Sequence, residues 1–272
     1  MYIASLIMYN AFQLGFKYLQ YYITASNGKG HGVHSPFVFD FIINVLNSKG
    51  TYYCFNEIEQ VRKAYLINSE VIEVEDFGAG SRTGATKKRV IKNIARSALK
   101  PRKYSQLLFK IATYYKPKTI LELGTSLGIT TSYLSNSNKE SKIITLEGSE
   151  NIASVAANTF KQLGLKNITQ ITGNFDETLS SALKQSGVTD FAYVDGNHRY
   201  EPTVRYYREI LPFITEESIL IFDDIHWSKE MEQAWEEIKN HEAVTMSIDL
   251  FFIGLVFFKK DFKVKQHFTI RY

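Results

Sequence analysis

The chain has 272 residues, of which 44% are hydrophobic and 22% charged, a composition typical of a globular protein with a sizeable core. Its net charge of +4 is compatible with an anionic substrate but is too small to indicate a nucleic-acid-binding protein. The single cysteine, Cys54, excludes an internal disulfide and a cysteine-rich zinc site, and it favours a reducing, cytoplasmic compartment.

Residues 1–24 are apolar and aromatic, but polar side chains interrupt the run at Asn10, Gln13, Lys17 and Gln20. These interruptions leave too few consecutive apolar residues for a membrane span, which needs about 20. The segment also lacks the basic start and the small-residue cleavage site of a secretory leader. We expect an amphipathic helix packed on the protein body, and a helix lying on a membrane surface is the alternative.

The segment that follows, up to Lys100, is less regular and is expected to be mainly helical. It contains a glycine-rich stretch with His31 and His34, for which a flexible connector is the simplest interpretation and a lid over a site is the alternative. The sequence "DFGAGS" at 76–81 is expected to be a turn that orients this segment, with a role as a substrate lid as the alternative.

A domain boundary is expected near Lys100, because Pro101 precedes a helical pattern that feeds a series of alternating strands and helices. We therefore divide the chain into an accessory or lid segment, residues 1–100, and a C-terminal domain, residues 101–272.

Short apolar runs alternate with helical patterns throughout the C-terminal domain, which predicts a parallel α/β sheet. Five runs are predicted to be strands followed by helices, and two more close the chain: "TILEL", "KIITLE", "ITQITG", "FAYVDG", "SILIFDD", then "AVTMSIDLF" and "IGLVFFKK". The last two are close enough to pair antiparallel. We predict a doubly wound, Rossmann-like, mostly parallel seven-stranded sheet with an antiparallel last strand, which binds ligands at the carboxyl ends of its strands.

The first of these strands runs into a glycine loop, "ELGTSLG". Five of its residues are candidates for cofactor binding: Glu122, Gly124, Thr125, Ser126 and Gly128. The loop lacks the middle glycine of G-x-G-x-x-G, which lets a dinucleotide pyrophosphate approach a helix N-terminus. An acid beside the loop would repel a phosphate but suits the ammonium of an amino-acid tail. The loop therefore favours a cofactor whose tail is not a phosphate.

Two further strand ends supply candidate residues for the rest of such a cofactor. Glu147 ends the second strand, roughly 20 residues beyond the loop, where an acid binds ribose hydroxyls in nucleotide-binding units. After the third strand, Asn174 and Phe175 are candidates to contact the edge and face of an adenine, and Asp176 is a candidate helix cap.

The E-x-G-x-x-x-G loop, Glu147, "VDGNH" at 194–198 and "FDDIHWS" at 222–228 together resemble class I S-adenosylmethionine-dependent methyltransferases. The likeness is greater to the small-molecule O-methyltransferases of the catechol and caffeoyl-CoA type, and it covers roughly Lys100 to Lys260. It implies S-adenosylmethionine as the cofactor of the C-terminal domain and a small-molecule hydroxyl as the acceptor. The N-terminal segment does not resemble that of catechol O-methyltransferase, so the acceptor itself cannot be carried over.

The same resemblance implies a site for Mg²⁺ or another divalent cation. Its ligands would be Asp195, Asp223 and Asp224, the last of which stands where the family usually has Asn. The additional negative charge either strengthens metal binding or marks a site that works without a metal. Asp195 is also expected to contribute to catalysis and to cofactor binding.

The resemblance also implies a catalytic base. His198 stands three residues after Asp195, where the family has a lysine. A histidine titrates near neutral pH and is able to accept the proton of a hydroxyl. His226, two residues after Asp224, is a second candidate, and either imidazole is also a candidate metal ligand.

Three other functions compete with O-methylation. N-methylation of nucleic acid or protein is disfavoured because the Asn/Asp-Pro-Pro-Tyr/Phe motif is absent and the basic excess is small. A nicotinamide-dependent oxidoreductase is disfavoured by the missing middle glycine. A cofactor-binding module with a decayed active site is disfavoured because the acids of the expected site are all present. A homodimer is compatible with each of these functions.

Overall fold

The computed structural model describes residues 8–76 and 85–272, and its main feature is an eight-stranded sheet. Residues 77–81 of the glycine loop that is expected to form a turn lie outside the described residues. The strands of the described chain are β1 (Val71–Asp76), β2 (Ala85–Val90), β3 (Thr119–Leu123), β4 (Lys142–Glu147), β5 (Ile168–Thr172), β6 (Phe191–Val194), β7 (Ile219–Asp223), β8 (Met246–Asp249), β9 (Ile253–Phe257) and β10 (Gln266–Thr269).

The main sheet has the spatial order β10-β8-β9-β7-β6-β3-β4-β5. Strands β3 to β7 pair parallel with one another, whereas β9 runs antiparallel to both β7 and β8. This arrangement confirms the doubly wound, mostly parallel sheet and the antiparallel pairing of the two closing runs.

The sheet has one strand more than the seven that the sequence predicts. The additional strand, β10, pairs parallel with β8 at the edge of the sheet. Its side chains are mostly exposed and polar, so no apolar run marks it in the sequence. The N-terminal segment holds it in place, since the backbone N–H of Ser26 donates to the carbonyl of Thr269 at 2.9 Å.

Helices connect these strands and precede them. Those of the described chain are α1 (Ala11–Thr24), α2 (Pro36–Phe41), α3 (Cys54–Ile67), α4 (Ile91–Ala98), α5 (Arg102–Tyr115), α6 (Ile129–Ser137), α7 (Glu150–Gln162), α8 (Phe175–Ser186), α9 (Tyr200–Ile210) and α10 (Lys229–Asn240). A π-helical turn (Ile42–Leu46) continues α2, and a short 3₁₀ helix (Leu211–Phe213) follows α9. The crossovers between parallel strands are α6, α7, α8 and α9.

Helix α1 is amphipathic and packs on the body through one face. The Tyr21 hydroxyl donates to the carbonyl of Ile270 at 2.5 Å, and the Tyr21 ring lies 5.2 Å from that of Phe251. On the opposite face Phe12 is 84% exposed and Phe16 is exposed as well. The helix on the body is thus confirmed, and the membrane-surface alternative stays a prediction. Among the described helices, none is long and apolar enough to cross a membrane.

Hydrophobic clusters cover both faces of the main sheet. On one face, Phe41 at the end of α2 and Leu108 of α5 are buried in the same cluster as Ile221 of β7. On the other face, Trp235 of α10 is buried in one cluster with Leu220 of the same strand. Part of the N-terminal segment therefore shares a core with the sheet, and the expected boundary between the two parts stays a prediction.

Strands β1 and β2 form a separate antiparallel ribbon rather than part of the main sheet. Val74 of this ribbon is buried in one cluster with Ile94 of α4 and Leu127 of the loop after β3. The backbone N–H of Glu75 donates to the Ser149 hydroxyl, after β4, at 3.3 Å. The ribbon thus lies beside the loops at the carboxyl ends of β3 and β4.

Gly254 of β9 offers a test of the packing between α10 and the sheet. A Cβ added there would lie 2.7 Å from the ring of Trp235, which is buried. We expect Gly254→Ala to lower the free energy of unfolding, measured by urea denaturation, by about 1–3 kcal/mol because the ring has to move. Gly15→Ala, in the middle of α1, is the control, because no atom lies within 4 Å of the added Cβ. Equal effects of the two substitutions would contradict this packing.

Candidate active site

A cavity of about 680 Å³ opens at the carboxyl ends of β3, β4, β6 and β7. Its size lies within the range of roughly 300–1,000 Å³ that is common for small-molecule sites. The ribbon of β1 and β2, the end of α4 and the start of α5 supply further parts of its wall. The cavity is therefore where a doubly wound sheet is expected to bind its ligand.

The glycine loop after β3 forms one wall of this cavity through Gly124 and Ser126. Gly124 has a φ of +105°, and a Cβ added there would lie 2.0 Å from the carbonyl oxygen of Asp195. Its own N–H donates to the carbonyl of Leu146 at 2.9 Å. Only a glycine allows the end of β3 to approach both neighbouring strand ends so closely.

Thr125 and Gly128 belong to the same loop but do not line the cavity. The Thr125 hydroxyl is buried and lies 2.6 Å from that of Thr145 in β4. Gly128 caps the start of α6 with a φ of +80°, and a Cβ there would lie 2.7 Å from the ring of Phe160. In this geometry both residues shape the loop, and their expected contact with a cofactor stays a prediction.

Glu122 is fully buried beneath the loop and is not part of the cavity wall either. Its Oε2 accepts hydrogen bonds from the hydroxyls of Thr131 at 2.5 Å and Thr145 at 2.6 Å. Its Oε1 is buried without a hydrogen-bond partner among the described residues. Burial raises the pKa of Glu122 to about 8, although the two hydroxyls oppose the shift. The expected contact with a cationic tail is therefore not direct in this geometry.

Glu147 ends β4 and lines the cavity. Its Oε2 accepts from the backbone N–H of Ser126 at 2.8 Å, and its Oε1 accepts from that of Ser149 at 3.1 Å. Burial raises the pKa of Glu147, and these backbone donors partly offset the shift. Two loops thus fix the carboxylate at the mouth of β4.

Asn174 and Phe175 lie after β5 and both line the cavity. The side-chain oxygen of Asn174 accepts from the backbone N–H of Asp176 at 3.1 Å, so Asn174 is the N-cap of α8. The expectation that Asp176 caps this helix is wrong, because its carboxylate accepts instead from the Tyr206 hydroxyl at 2.9 Å. A Cβ on Gly196 would lie 2.6 Å from the Phe175 ring, which therefore packs on the loop after β6.

The three predicted metal ligands converge at the ends of β6 and β7, but a lysine lies among them. The Lys100 ammonium contacts Oδ2 of Asp223 and lies 3.3 Å from Oδ1 of Asp224. Burial alone lowers the pKa of Lys100, yet the charges of Asp223, Asp195 and Asp224 raise it well above its ordinary value. Burial and the charge of Asp195 raise the pKa of Asp223.

This donor set does not fit a divalent cation. An ammonium already contacts two of the three carboxylates, and a cation between them would be repelled by its charge. Among residues 8–76 and 85–272, no group of three or more His, Cys, Asp or Glu side chains is arranged to hold a metal. The metal that the resemblance implies therefore has no formed site in this arrangement.

His198 and Asp195 form a pair at the cavity wall after β6. The Nε2 of His198 lies 3.4 Å from Oδ1 of Asp195, whose Oδ2 accepts from the Tyr193 hydroxyl at 3.1 Å. Burial lowers the pKa of His198, but the hydrogen bond and charge of Asp195 outweigh it, so the net direction is upward. Although burial favours its neutral form, Asp195 has a lowered pKa because of His198 and Lys100.

Solved structures with a similar fold include several methyltransferases. The methyltransferase of Podospora anserina bound to S-adenosylhomocysteine matches with a TM-score of 0.57 at 13% identity, over 95% of this chain and 100% of that chain. The O-methyltransferase of tomaymycin synthesis from Streptomyces achromogenes, in complex with S-adenosylmethionine, gives 0.54 at 14% identity, over 80% and 96%. The O-methyltransferase of Bacillus cereus bound to S-adenosylhomocysteine gives 0.51 at 18%, over 81% and 97%. At these identities the likeness shows the fold alone.

A family model described as a methyltransferase domain matches residues 121–225, which run from β3 to the loop after β7 and include most of the strand ends around the cavity. Residues 121–225 are therefore identified as a methyltransferase domain, and the fold around them is that of class I S-adenosylmethionine-dependent methyltransferases. No curated protein sequence matches the chain.

His226 lies outside the cavity wall of the methyltransferase, so its expected place in the site needs correction. Its Nε2 lies 2.8 Å from Asp249 and its Nδ1 lies 3.1 Å from Glu232, which also binds the ammonium of Lys17. Burial lowers the pKa of His226, but the two carboxylates raise it to about 9. The imidazole thus joins α1, α10 and β8, and neither nitrogen is directed to a ligand in the cavity.

The glycine-rich stretch with His31 and His34 does not reach the site. Both histidines are exposed, and neither lines the cavity. The stretch connects α1 to α2. A lid role has no support from this geometry, because neither histidine contacts the cavity.

Lys100 is the residue of the methyltransferase that the sequence analysis missed. It lies 124 residues before Asp224 in the chain, and the sequence indicates only a domain boundary at this position. A single lysine before a proline follows no motif, and only the unusual Asp-Asp pair indicates that an additional cation is needed. The fold of α4 and α5 onto the sheet edge is what brings the ammonium to the acids.

The ion pairs of His226 predict a pH dependence of stability. A histidine whose pKa is about 9 when folded, against 6.5 ordinarily, stabilises the fold fully below pH 6.5 and loses this contribution as the pH rises through 9. We expect His226→Gln to remove a pH-dependent part of the free energy of unfolding on the order of 2 kcal/mol. Urea denaturation between those pH values measures it, with His31→Gln as the exposed control. An unchanged difference between the wild type and His226→Gln across this window would refute the assignment.

Proposed function

We propose that the protein transfers the methyl group of S-adenosylmethionine to a hydroxyl oxygen of a small-molecule acceptor. The observation that carries this proposal is a single cavity in which Glu147 and the loop after β3 share walls with the His198–Asp195 pair. The neighbours from Streptomyces achromogenes and Bacillus cereus are O-methyltransferases, which supports oxygen as the acceptor atom.

Glu147 is proposed to accept hydrogen bonds from both ribose hydroxyls of the cofactor. Both of its carboxylate oxygens accept backbone N–H groups, and a carboxylate has about four lone-pair positions in all, so it is able to accept further hydrogen bonds. Phe175 offers a ring face for the adenine, and the side-chain NH₂ of Asn174 is a donor for its edge, since the cap uses only the oxygen. Gly124 and Ser126 are proposed to contact the methionine part of the cofactor.

The residues beneath the loop are proposed to act indirectly. Glu122, Thr125 and Gly128 do not line the cavity, and their proposed role is to hold the backbone of the loop in position. The hydroxyl network of Glu122 with Thr131 and Thr145 ties the ends of β3 and β4 to α6.

His198 is proposed to be the base, with Asp195 as its partner. A lone pair of the acceptor oxygen forms the new bond to the methyl carbon while the bond from sulfur to that carbon breaks and its electrons stay on sulfur. The products are the methyl ether and S-adenosylhomocysteine, and the proton of the hydroxyl passes to His198. Asp195 stabilises the imidazolium that results, and the enzyme otherwise contributes alignment of the three reacting atoms.

A divalent cation is not a participant in this proposal. Lys100 contacts two of the carboxylates that would hold it, so no step of the transfer is assigned to a metal. His226 is also left out of the chemistry, because Asp249 and Glu232 engage both of its ring nitrogens.

Binding of S-adenosylhomocysteine tests the assignment of Glu147. We expect Glu147→Gln to raise the dissociation constant of S-adenosylhomocysteine, measured by titration calorimetry, by about 10- to 100-fold, because hydrogen bonds to a charged acceptor are lost. Glu150→Gln is the matched control, since Glu150 is exposed in the first turn of α7 and does not line the cavity. Unchanged affinity of Glu147→Gln would contradict the proposed ribose contact, and binding of NAD by the wild type would contradict the proposed cofactor.

Turnover tests the assignment of His198. We expect His198→Gln to lower kcat by about 10²- to 10⁴-fold, the range for loss of a general base, with the affinity for S-adenosylhomocysteine unchanged. The measurement is release of S-adenosylhomocysteine in the presence of a panel of phenols and alcohols. His34→Gln serves as the control because His34 is exposed and remote from the cavity wall. Turnover of His198→Gln at the parent rate would show that another group takes the proton.

A further inference from the structure

The Lys100 ammonium lies at the position that the resemblance assigns to a metal. Its side chain is 8% exposed, and it contacts Asp223 while lying 3.3 Å from Asp224. Asp195, at the end of the neighbouring strand, adds a third negative charge that acts on it. One ammonium thus contacts two carboxylates at the end of β7, and the charge of a third, at the end of β6, acts on it.

The backbone of Lys100 is fixed as firmly as its side chain. Its carbonyl accepts from Nη1 of Arg62 at 2.7 Å and from the hydroxyl of Ser105 at 3.3 Å. Arg62 is itself buried and bound to Glu59 at 2.9 Å, so α3 and α5 hold the lysine from both sides. A group held in this way is preorganised, because no rearrangement is needed when a ligand arrives.

The lysine also belongs to the wall of the cavity, together with His198 and Asp224. A lysine ammonium has three N–H donors, and Asp223 and Asp224 engage two of them. Oδ1 of Asp223 is buried and has no hydrogen-bond partner in the described part of the chain. The ammonium therefore retains one N–H donor for a hydroxyl group that enters the cavity.

We infer that Lys100 replaces the divalent cation of the site: its ammonium donates to the acceptor oxygen and stabilises the negative charge that develops there, so that transfer is independent of divalent metals. This inference rests on the proposed function. As His198 takes the hydroxyl proton, the negative charge on the acceptor oxygen increases. A fixed positive charge close to that oxygen lowers the barrier to methyl transfer. No further reactant is needed, because the methyl group and both electron pairs are those already described.

The replacement also defines the class of acceptor. A divalent ion is able to bind two neighbouring oxygens of one ligand, whereas an ammonium donates single hydrogen bonds and carries half the charge. The site should therefore accept a molecule with one hydroxyl and have no requirement for a vicinal diol. The weaker charge favours a hydroxyl that is already acidic, such as a phenol, over an aliphatic alcohol.

Metal binding, read without any turnover, is the first test. Mn²⁺ is titrated by calorimetry into the wild type, Lys100→Met and Lys103→Met. We expect no Mn²⁺ site in the wild type or in Lys103→Met, where the substituted lysine is exposed and outside the cavity wall. Lys100→Met should gain one site per chain, because the three acids lose their cation. One Mn²⁺ site in the wild type that Asp223→Asn abolishes would overturn the inference.

Turnover with S-adenosylmethionine and a monophenol is the second test. We expect EDTA to leave the wild-type rate unchanged, and Lys100→Met to lower kcat by about 100-fold or more, the range for loss of a charge-stabilising donor, with the KM for S-adenosylmethionine within about twofold. Loss of wild-type turnover in EDTA with restoration by Mg²⁺ would overturn the role of Lys100 and leave the proposed function intact. Should Lys100→Met fail to fold, the wild-type metal and EDTA measurements still decide. Failure of the proposed function itself would appear separately, as absent S-adenosylhomocysteine binding.

Discussion

The buried contact of Lys100 with Asp223 and Asp224 is the interaction on which the candidate site depends. Strand β7 is buried along its length and delivers Asp223, which is 1% exposed, to the end of the sheet. A buried carboxylate without a partner costs several kcal/mol, so a cation has to accompany it. That cation is the ammonium of Lys100, which lies between α4 and α5. The carbonyl of Lys100 accepts a hydrogen bond from Arg62 of α3. Lys100 consequently does two things at once: it completes the cavity wall and neutralises the acids at the end of β7.

Strained backbone surrounds the same cavity, and it too arises because several strand ends meet there. Several non-glycine residues with positive φ line the cavity: Ser126, Asn197, His198 and Asp224. Such conformations cost of order 1–3 kcal/mol each and persist only where the surroundings impose them. Here they occur just after β3, β6 and β7, where the chain has to turn sharply so that each strand end presents polar groups to one space. Part of the stability supplied by the apolar clusters on both faces of the sheet is thus used to hold these turns.

The sequence predicts the parts of the structure that depend on local pattern. Apolar runs identify β3 to β7, and the acids Glu147, Asp195 and Asp223 at the ends of β4, β6 and β7 lie at one edge because parallel strands end there. Strand β10 escaped prediction because its exposed, polar residues pair only at the sheet edge. Lys100 escaped it for a different reason: its partners lie more than 120 residues away, and no spacing rule joins them. Contacts of that kind arise from tertiary packing and leave no local signal.

His198 and His226 demonstrate why a histidine near a strand end is not in itself a catalytic group. Both follow neighbouring strands, and in both the nearby carboxylates raise the pKa although burial opposes it. They differ in the use of the second ring nitrogen. His226 engages Asp249 with one nitrogen and Glu232 with the other, so neither can accept a proton from a ligand. His198 is bound to Asp195 through Nε2 and borders the cavity, where, within the described part of the chain, no carboxylate engages its second nitrogen. A place on the cavity wall, rather than the direction of the pKa shift, separates this candidate base from a structural ion pair.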